Sequence, residues 1–245
     1  MIISKIVNRC RTAVSIMVLG LHGKRGMPVQ FLDRRDAGRQ LATKLAGYAG
    51  DTGVLVLGLP RGGVPVAYEV ARALHAPLDV FVVRKLGLPD HRELAMGAIA
   101  SGGLRVLNVD VIAALAIAPA MVESVAEGEL LEMERQQRAY RGNAPLPEFF
   151  GRTIVVVDDG LATGSTMRAA VGALRQKHPA RIIVAVPVAA AEAVRLLREE
   201  GEDVVCLIAA PDFRAVSAWY ADFSQTSDAE VRSLLQSASH AAPSL

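Results

Sequence analysis

Residues Val155 to Met167 read VVVDDGLATGSTM, and this stretch decides the fold. Four apolar residues of strand character, Ile154 to Val157, end in two acids, Asp158 and Asp159. Small and hydroxyl-bearing residues follow: Gly160, Ala162, Thr163, Gly164, Ser165 and Thr166. Met167, Ala170, Val171 and Leu174 then recur at helical spacing. A continuous apolar run, a small-residue turn and an amphipathic helix make the pattern of a buried parallel strand feeding a helix. The backbone N–H groups of such a turn, with the positive end of the helix dipole, form a cradle for phosphate. Two carboxylates beside that cradle would repel a bare phosphate. They suit a ligand that also brings hydroxyls or a cation.

This stretch resembles the phosphoribosyl-diphosphate (PRPP) signature of the type I phosphoribosyltransferases. In that family two acids meet the ribose hydroxyls and a TGxT turn holds the 5′-phosphate. The resemblance implies that Asp158 and Asp159 bind ribose and that Ala162, Thr163, Gly164, Ser165 and Thr166 hold the phosphate. It also implies Mg²⁺, carried mainly by PRPP itself and touched by Asp158 and Asp159. Other phosphate loops fit less well, since the sequence has no G-x-x-x-x-G-K-[ST] and no G-x-G-x-x-G after a strand.

Upstream, Val54 to Leu57 is a second apolar strand, leading into Gly58-Leu59-Pro60-Arg61-Gly62-Gly63. Pro65, Val66, Val70 and Leu74 then mark a helix. Arg61 is the one charge in this turn, and an arginine there suits a diphosphate. In the resembling family this is the pyrophosphate loop, in which Gly62 and Gly63 permit an unusual backbone path. Leu78 to Val83 reads as the next strand, ending in Arg84 and Lys85, two cations where ligands bind in open α/β sheets. Residues 86 to 94 are polar, with Gly and Pro, and read as a mobile loop. By resemblance it closes over the reacting centre, within reach of His91 and Glu93. A plain surface loop would use the same residues, and for each of the two taken singly it is the better reading.

Gly97 to Ala100 and Leu104 to Leu107 flank Ser101-Gly102-Gly103 and predict a hairpin. A helix is expected over Pro119 to Tyr140, with Val122, Val125, Ala126, Leu130 and Met133 on its apolar face. Asn143 to Pro147 is a linker. Strands are expected at Arg181 to Val186 and Val204 to Ile208, with a helix at Ala190 to Glu199 between them. Alternating strands and helices predict an α/β fold with a doubly wound parallel sheet, and a small hood or tail segment beyond it.

The tail from Pro211 to Phe223 is the densest aromatic patch in the chain. By resemblance to the purine-type enzymes it forms a hood over the acceptor base, with Phe213 or Trp219 stacking on a flat heterocycle. Simple packing onto the sheet would use the same aromatics. Ser227 to Leu235 reads as a last helix, capped by Ser227 with Glu230 completing a capping box. The resulting organisation is an extension at 1–26, one domain at 27–236 with a hood at about 209–225, and a frayed tail at 237–245. Residues 1–26 place Lys5, Arg9 and Arg11 before the apolar run Ala13 to Leu21. That is the layout of a signal peptide, but no A-x-A-like cleavage site follows. They read as an extension upstream of Met27. Asp33 is the candidate cap of the first amphipathic helix, which carries Ala37, Leu41 and Leu45.

Apolar residues make up 51% of the 245 and charged residues 21%, which predicts a globular chain with a sizeable core. The net charge of +2 and an aromatic content of 4% without basic clusters argue against nucleic-acid binding. The apolar run Ala13 to Leu21 is too short to span a bilayer. Cys10 and Cys206 lie far apart and form neither a disulfide framework nor a metal pattern, which suits a reducing, cytoplasmic setting.

The expected activity is transfer of the 5-phosphoribosyl group from PRPP to a nitrogen acceptor such as a nucleobase, with Mg²⁺ and release of diphosphate. Asp158, Asp159 and Lys85 form the catalytic set. Arg61, Gly62, Gly63, Arg84 and the Ala162 to Thr166 turn bind PRPP. The expected assembly, by resemblance, is a homodimer. Hypoxanthine–guanine enzymes carry an acid where this chain has Ala162, and Ile182 to Val188 offers no lysine for a purine oxygen. The motif is closer to the adenine and orotate types. The competing reading is a PRPP-sensing protein without catalysis. A dinucleotide oxidoreductase and an α/β hydrolase both lack their motifs here.

Overall fold

The computed structural model describes residues 31–88 and 91–241. The reading of 1–26 as an extension therefore falls outside the described residues. Two sheets organise the rest. The parallel strands are β1 (Val54–Gly58), β2 (Leu78–Val80), β6 (Thr153–Val157), β7 (Arg181–Ala190) and β8 (Asp203–Ala210). The antiparallel ones are β3 (Val83–Leu88), β4 (His91–Ala100) and β5 (Leu104–Leu107). The parallel strands stand in the order β2-β1-β6-β7-β8 and the antiparallel ones in the order β3-β4-β5.

Strand alternation sorts the core to the two faces of the parallel sheet. Val54, Val56, Val155 and Val157 face one way and pack against α1 (Arg34–Lys44) and α2 (Gly63–Leu74). Leu55, Leu57, Ile154 and Val156 face the other way, against α5 (Ser165–Arg175) and α6 (Ala191–Glu199). Every residue of β1 is buried, as a strand covered on both faces requires. Each large aliphatic side chain so buried contributes roughly 1.5–3 kcal/mol. β1 crosses through α2 to β2 on its one side, while β6 crosses through α5 to β7 on its other. The winding therefore reverses between the neighbours β1 and β6, which pair from Val54↔Thr153 to Gly58↔Val157. Open α/β sheets bind ligands at the carboxyl ends of their strands at such a reversal.

A third core joins the antiparallel sheet to α4 (Pro119–Arg141) and α7 (Asp228–Ala241) through Val82, Leu86, Met96, Ile99, Val122, Met133, Val231 and Leu234. α4 starts with Pro119 at its first turn and carries Arg138 and Arg141 in its last, as the macrodipole favours. The cap predicted for α1 is present, with Asp36 N–H donating to Asp33 Oδ1 at 2.7 Å. The predicted cap of α7 is also present, with Glu230 N–H donating to Ser227 Oγ at 3.1 Å.

Four features differ from the sequence reading. The expected strand Leu78 to Val83 is divided, with β2 ending at Val80 and β3 starting at Val83 in the other sheet. Residues 86–94, expected as a mobile loop, contribute to the ends of β3 and β4, which pair as far as Leu88↔His91. Gly87, one of the expected breakers, lies within β3, while residues 89 and 90 fall outside the described ones. A short helix, α3 (Val109–Ala114), was not anticipated; Asn108 caps it by accepting from Val111 N–H at 3.2 Å. Finally, α7 continues through Ala241 where fraying was expected from 237, and residues 242–245 of that expected tail fall outside the described ones.

Among the described residues, no helix is long and apolar enough to cross a membrane. Cys206 is a free thiol whose pKa burial pushes up to about 11, consistent with a small packing residue.

Candidate active site

The turns after β1 and β6 meet at the winding reversal. Leu59 N–H donates to Val157 C=O at 2.9 Å, so the first turn starts on the end of the second strand. The Pro60–Arg61 peptide is cis. A Cβ on Gly62 would lie 2.0 Å from Asp159 Oδ2, and one on Gly63 would lie 2.7 Å from Val157 O and 2.9 Å from Asp158 Cα. Only glycine allows the loop this close to the acids. The two loops that the sequence read separately thus form one surface.

Asp158 and Asp159 leave β6 together. Asp158 Oδ1 accepts from Asp159 N–H at 2.9 Å. Burial, and then the charge on Asp159, hold the Asp158 carboxyl well above the usual carboxylate range. Burial raises Asp159 as well, against the pull of Arg34. Arg34 Nε donates to Asp159 Oδ2 at 2.8 Å. Two acids held this way have acceptor capacity to spare, and hydroxyl groups or a cation would fill it.

Beyond the acids, Leu161 bridges to β7, its N–H donating to Val188 C=O at 3.0 Å. Ala162 and Thr163 are exposed, and Gly164 caps α5 in the left-handed region at φ 72° with no side-chain hydrogen bond. Thr163 Oγ1 and Ser165 Oγ lie 3.0 Å apart. Ser165 N–H donates to Thr163 Oγ1 at a long 3.4 Å. Among the described residues, the amides of Gly164, Thr166 and Met167 have no internal acceptor. The start of α5 therefore presents donors and a left-handed glycine to the same edge of the sheet as the acids.

The cations are arranged less simply than the sequence suggested. Arg61 is exposed, with Nη1 3.8 Å from Asp228 Oδ1 at the start of α7. Tyr140 O–H donates to the same Asp228 oxygen at 2.8 Å. The Arg61 contact is long and open to water, which leaves the guanidinium available to a diphosphate. Arg84 and Lys85 were read as a pair, but strand alternation separates them. Val82 and Leu86 pack with the α4 core and Val83 with the α5 core. Arg84 accordingly turns to α4 and pairs with Glu129. Lys85 faces the α5 side and has no ion-pair partner among the described residues.

The tail forms a cover on the other flank. Phe213, Val216, Trp219 and Phe223 pack around Phe31, Ala37, Val188 and Tyr220. A Cβ on Gly160 would lie 2.6 Å from Val216 Cγ1, so the tail closes directly over the acid turn. Tyr220 O–H donates to Asp159 C=O at 2.5 Å. Phe213 and Trp219 are half-buried in this cluster, which gives them a packing role whatever else they touch. Tyr220 and Phe223 lie in the tail expected as a hood but are not singled out in that expectation, and Arg34 is in no expected site; the contacts that join the three to Asp159 are long-range and leave no local mark.

No group of three or more His, Cys, Asp and Glu side chains able to hold a metal occurs among the described residues. A Mg²⁺ that takes most of its oxygens from substrate and water needs only one or two carboxylates, which Asp158 and Asp159 can provide.

Comparison with known proteins agrees with this architecture. The family described as "phosphoribosyl transferase domain" matches residues 30–219, and the chain belongs to that family. Two Mycobacterium tuberculosis proteins, of strains CDC 1551 / Oshkosh and H37Rv, are provisionally named phosphoribosyl transferases. Each is 46% identical over 208 residues, covering 85% of this chain and 47% of the relative. The chain therefore spans about half the length of these curated relatives. The crystal structure of TT1426 from Thermus thermophilus superposes with a TM-score of 0.76 at 42% identity, covering 85% of this chain and 98% of that one. The parallel sheet with its added antiparallel sheet is thus the type I phosphoribosyltransferase fold.

Proposed function

We propose that the chain transfers the 5-phosphoribosyl group of PRPP to a nitrogen acceptor, a nucleobase in the simplest case, with release of diphosphate. One observation carries this reading: at the β1/β6 reversal, a buried acid pair lies between a glycine loop on one side and a donor-rich helix start on the other. A phosphorylated pentose with a diphosphate leaving group has charges and hydroxyls in that order.

In this mechanism the protein works by position and charge. Asp158 and Asp159 accept hydrogen bonds from the ribose hydroxyls and fix the ring. The amides of Gly164 to Met167, with the Thr163, Ser165 and Thr166 hydroxyls, hold the 5′-phosphate. Gly62 and Gly63 admit the diphosphate close to the backbone, and Arg61 and Lys85 stabilise the charge that grows on it as the anomeric C–O bond breaks. The positive charge developing on the sugar ring resembles that of other glycosyl transfers, and the neighbouring carboxylates favour it. Mg²⁺, held by Asp158 or Asp159 and by PRPP, would neutralise diphosphate oxygens. Arg84, paired with Glu129, is assigned to the scaffold instead. Ala162 supplies no acid to the acceptor, in keeping with an acceptor other than hypoxanthine or guanine.

The second reading is a PRPP-binding regulator without catalysis. A screen of nucleobases and simple amines for PRPP-dependent diphosphate release separates the two. Release with one acceptor supports the enzyme. PRPP binding without release across the panel supports the regulator. A cytoplasmic homodimer belongs to the same proposal, and sedimentation at micromolar concentration tests the assembly.

A further inference from the structure

Arg34 belongs to no motif, yet it joins three separate segments at the acid pair. Its Nε donates to Asp159 Oδ2 at 2.8 Å, and its Nη1 donates to Ser224 C=O at 2.7 Å. Its guanidinium carbon lies 3.8 Å from the centre of the Phe223 ring, within cation–π range. The Arg34 and Asp159 side chains are only 11% and 14% exposed. Gly62 is part of the same contact, since a Cβ there would lie 3.1 Å from Arg34 Nε. The base of the side chain is fixed as well, because Asp33 caps α1 immediately before it.

The tail holds Asp159 twice. Arg34 links its carboxylate to Phe223 and Ser224, and Tyr220 bonds its carbonyl. Phe31, three residues before Arg34, pairs with the same tail: Phe31 N–H donates to Trp219 C=O at 2.8 Å and Ala221 N–H to Phe31 C=O at 2.7 Å. Arg34 engages only Oδ2 of Asp159. Among the described residues, Oδ1 takes no donor from another residue, so it is left for a ligand hydroxyl.

We propose that Arg34 is a positioning residue that aims Asp159 at the sugar hydroxyls and couples filling of that site to the tail at 213–224. This rests on the sugar-phosphate reading of the acid pair. Arginine suits the task because its planar fork can bond a carboxylate and a carbonyl at once while stacking on a ring. Lysine offers a point charge that cannot meet all three partners. Sugar hydroxyls that share the Asp159 carboxylate will redistribute its bond to Arg34, and the change passes to Phe223 and Ser224. An acceptor arriving under the tail then meets a cover already set by the bound sugar.

The test compares wild type, Arg34→Lys and Arg34→Met by calorimetry with Mg²⁺ and two probes, PRPP and inorganic diphosphate. Trp219, the single tryptophan of the chain, lies in the tail and reports on it by fluorescence. Arg34→Met is expected to lose about 10- to 100-fold in PRPP affinity, the worth of one charge-assisted hydrogen bond. It should lose much less for diphosphate, which has no hydroxyls. The Trp219 response to PRPP should disappear in Arg34→Met and persist weakened in Arg34→Lys. The inference is overturned if Arg34→Met binds PRPP like wild type with the Trp219 response intact. It is equally overturned if both probes weaken by the same factor, which would mark a merely structural role. Should Arg34→Met fail to fold, Arg34→Lys carries the same comparison. A wild type that binds diphosphate but not PRPP would instead overturn the sugar-phosphate reading itself.

Discussion

The sheet edge and its cover are built by opposite means. At the edge, each functional turn is continuous with the strand before it and the helix after it. β1, Arg61 to Gly63 and α2 form one such run; β6, Asp158 to Thr166 and α5 form the other. On the cover, Arg34 and Asp159 are 125 residues apart in sequence, and Tyr220 and Asp159 are 61 apart. The edge uses glycine to bring backbone close, while the cover uses arginine and aromatic rings to reach across. Under the proposed function, the edge would bind the sugar phosphate and the cover would control the acceptor side.

The largest expected effect breaks the edge. Asp158→Asn with Asp159→Asn should lower PRPP affinity by more than about 100-fold, since two charge-assisted acceptors are lost. The single variant Asp158→Asn, which leaves the Arg34–Asp159 ion pair intact, should melt higher than wild type at neutral pH without ligand. The sign follows from the raised Asp158 carboxyl. Stability linked to a raised group is full below the ordinary carboxylate range and lost as pH rises through the raised value, so an ionisable Asp158 costs the free protein stability at neutral pH. If Asp158→Asn melts lower instead, this acid supports the fold.

The glycines sharpen the same point. Gly63→Ala pushes a methyl onto backbone atoms that cannot turn away and should cost about 1–3 kcal/mol in urea unfolding. Gly62→Ala meets the Asp159 carboxylate and Arg34, which are side chains. It should disturb the fold less than Gly63→Ala while still weakening PRPP binding. Equal damage to stability from both would erase the distinction between backbone and side-chain contacts.

Two neighbours on β3 provide a smaller contrast. Lys85→Ala should lower kcat by roughly 10-fold if its charge meets the diphosphate. Arg84→Ala should leave kcat unchanged and cost at most about 1 kcal/mol of stability through its pair with Glu129. The reverse pattern would exchange their roles. The smallest effect belongs to the cover: Phe213→Ala should raise the acceptor KM by about 3- to 10-fold without changing PRPP affinity. A change in PRPP affinity of the same size would place Phe213 with the sugar instead.

The edge was legible because its information is local. An apolar run that stops at Asp158, and a turn of residues without bulk, can be read without knowing what packs nearby. The alternation of strands and helices then gave the doubly wound sheet. The Gly62 and Gly63 pair was legible as a tight loop, but not as the neighbour of Asp159, which follows only from the β1–β6 pairing. Arg84 and Lys85 were both expected at the substrate, Lys85 in the catalytic set and Arg84 among the binding residues, because composition does not show which face of β3 each one takes. The loop expected over 86–94 rested on Gly87 and Pro89 as breakers, but Gly87 pairs with Ala95 and β3 continues to Leu88, which a list of residue types does not reveal. Nothing near Arg34 distinguishes it from Arg35, which instead lies 5.5 Å from the Tyr68 ring.

The central claim is tested most directly by a crystal structure of the protein with PRPP and Mg²⁺. The account predicts one sugar phosphate spanning the β1/β6 crevice, its ribose hydroxyls on Asp158 and Asp159, its 5′-phosphate on the amides of 164–167 and its diphosphate against Gly62 and Gly63. Ligand bound elsewhere, or a pentose whose hydroxyls avoid both acids, would contradict it.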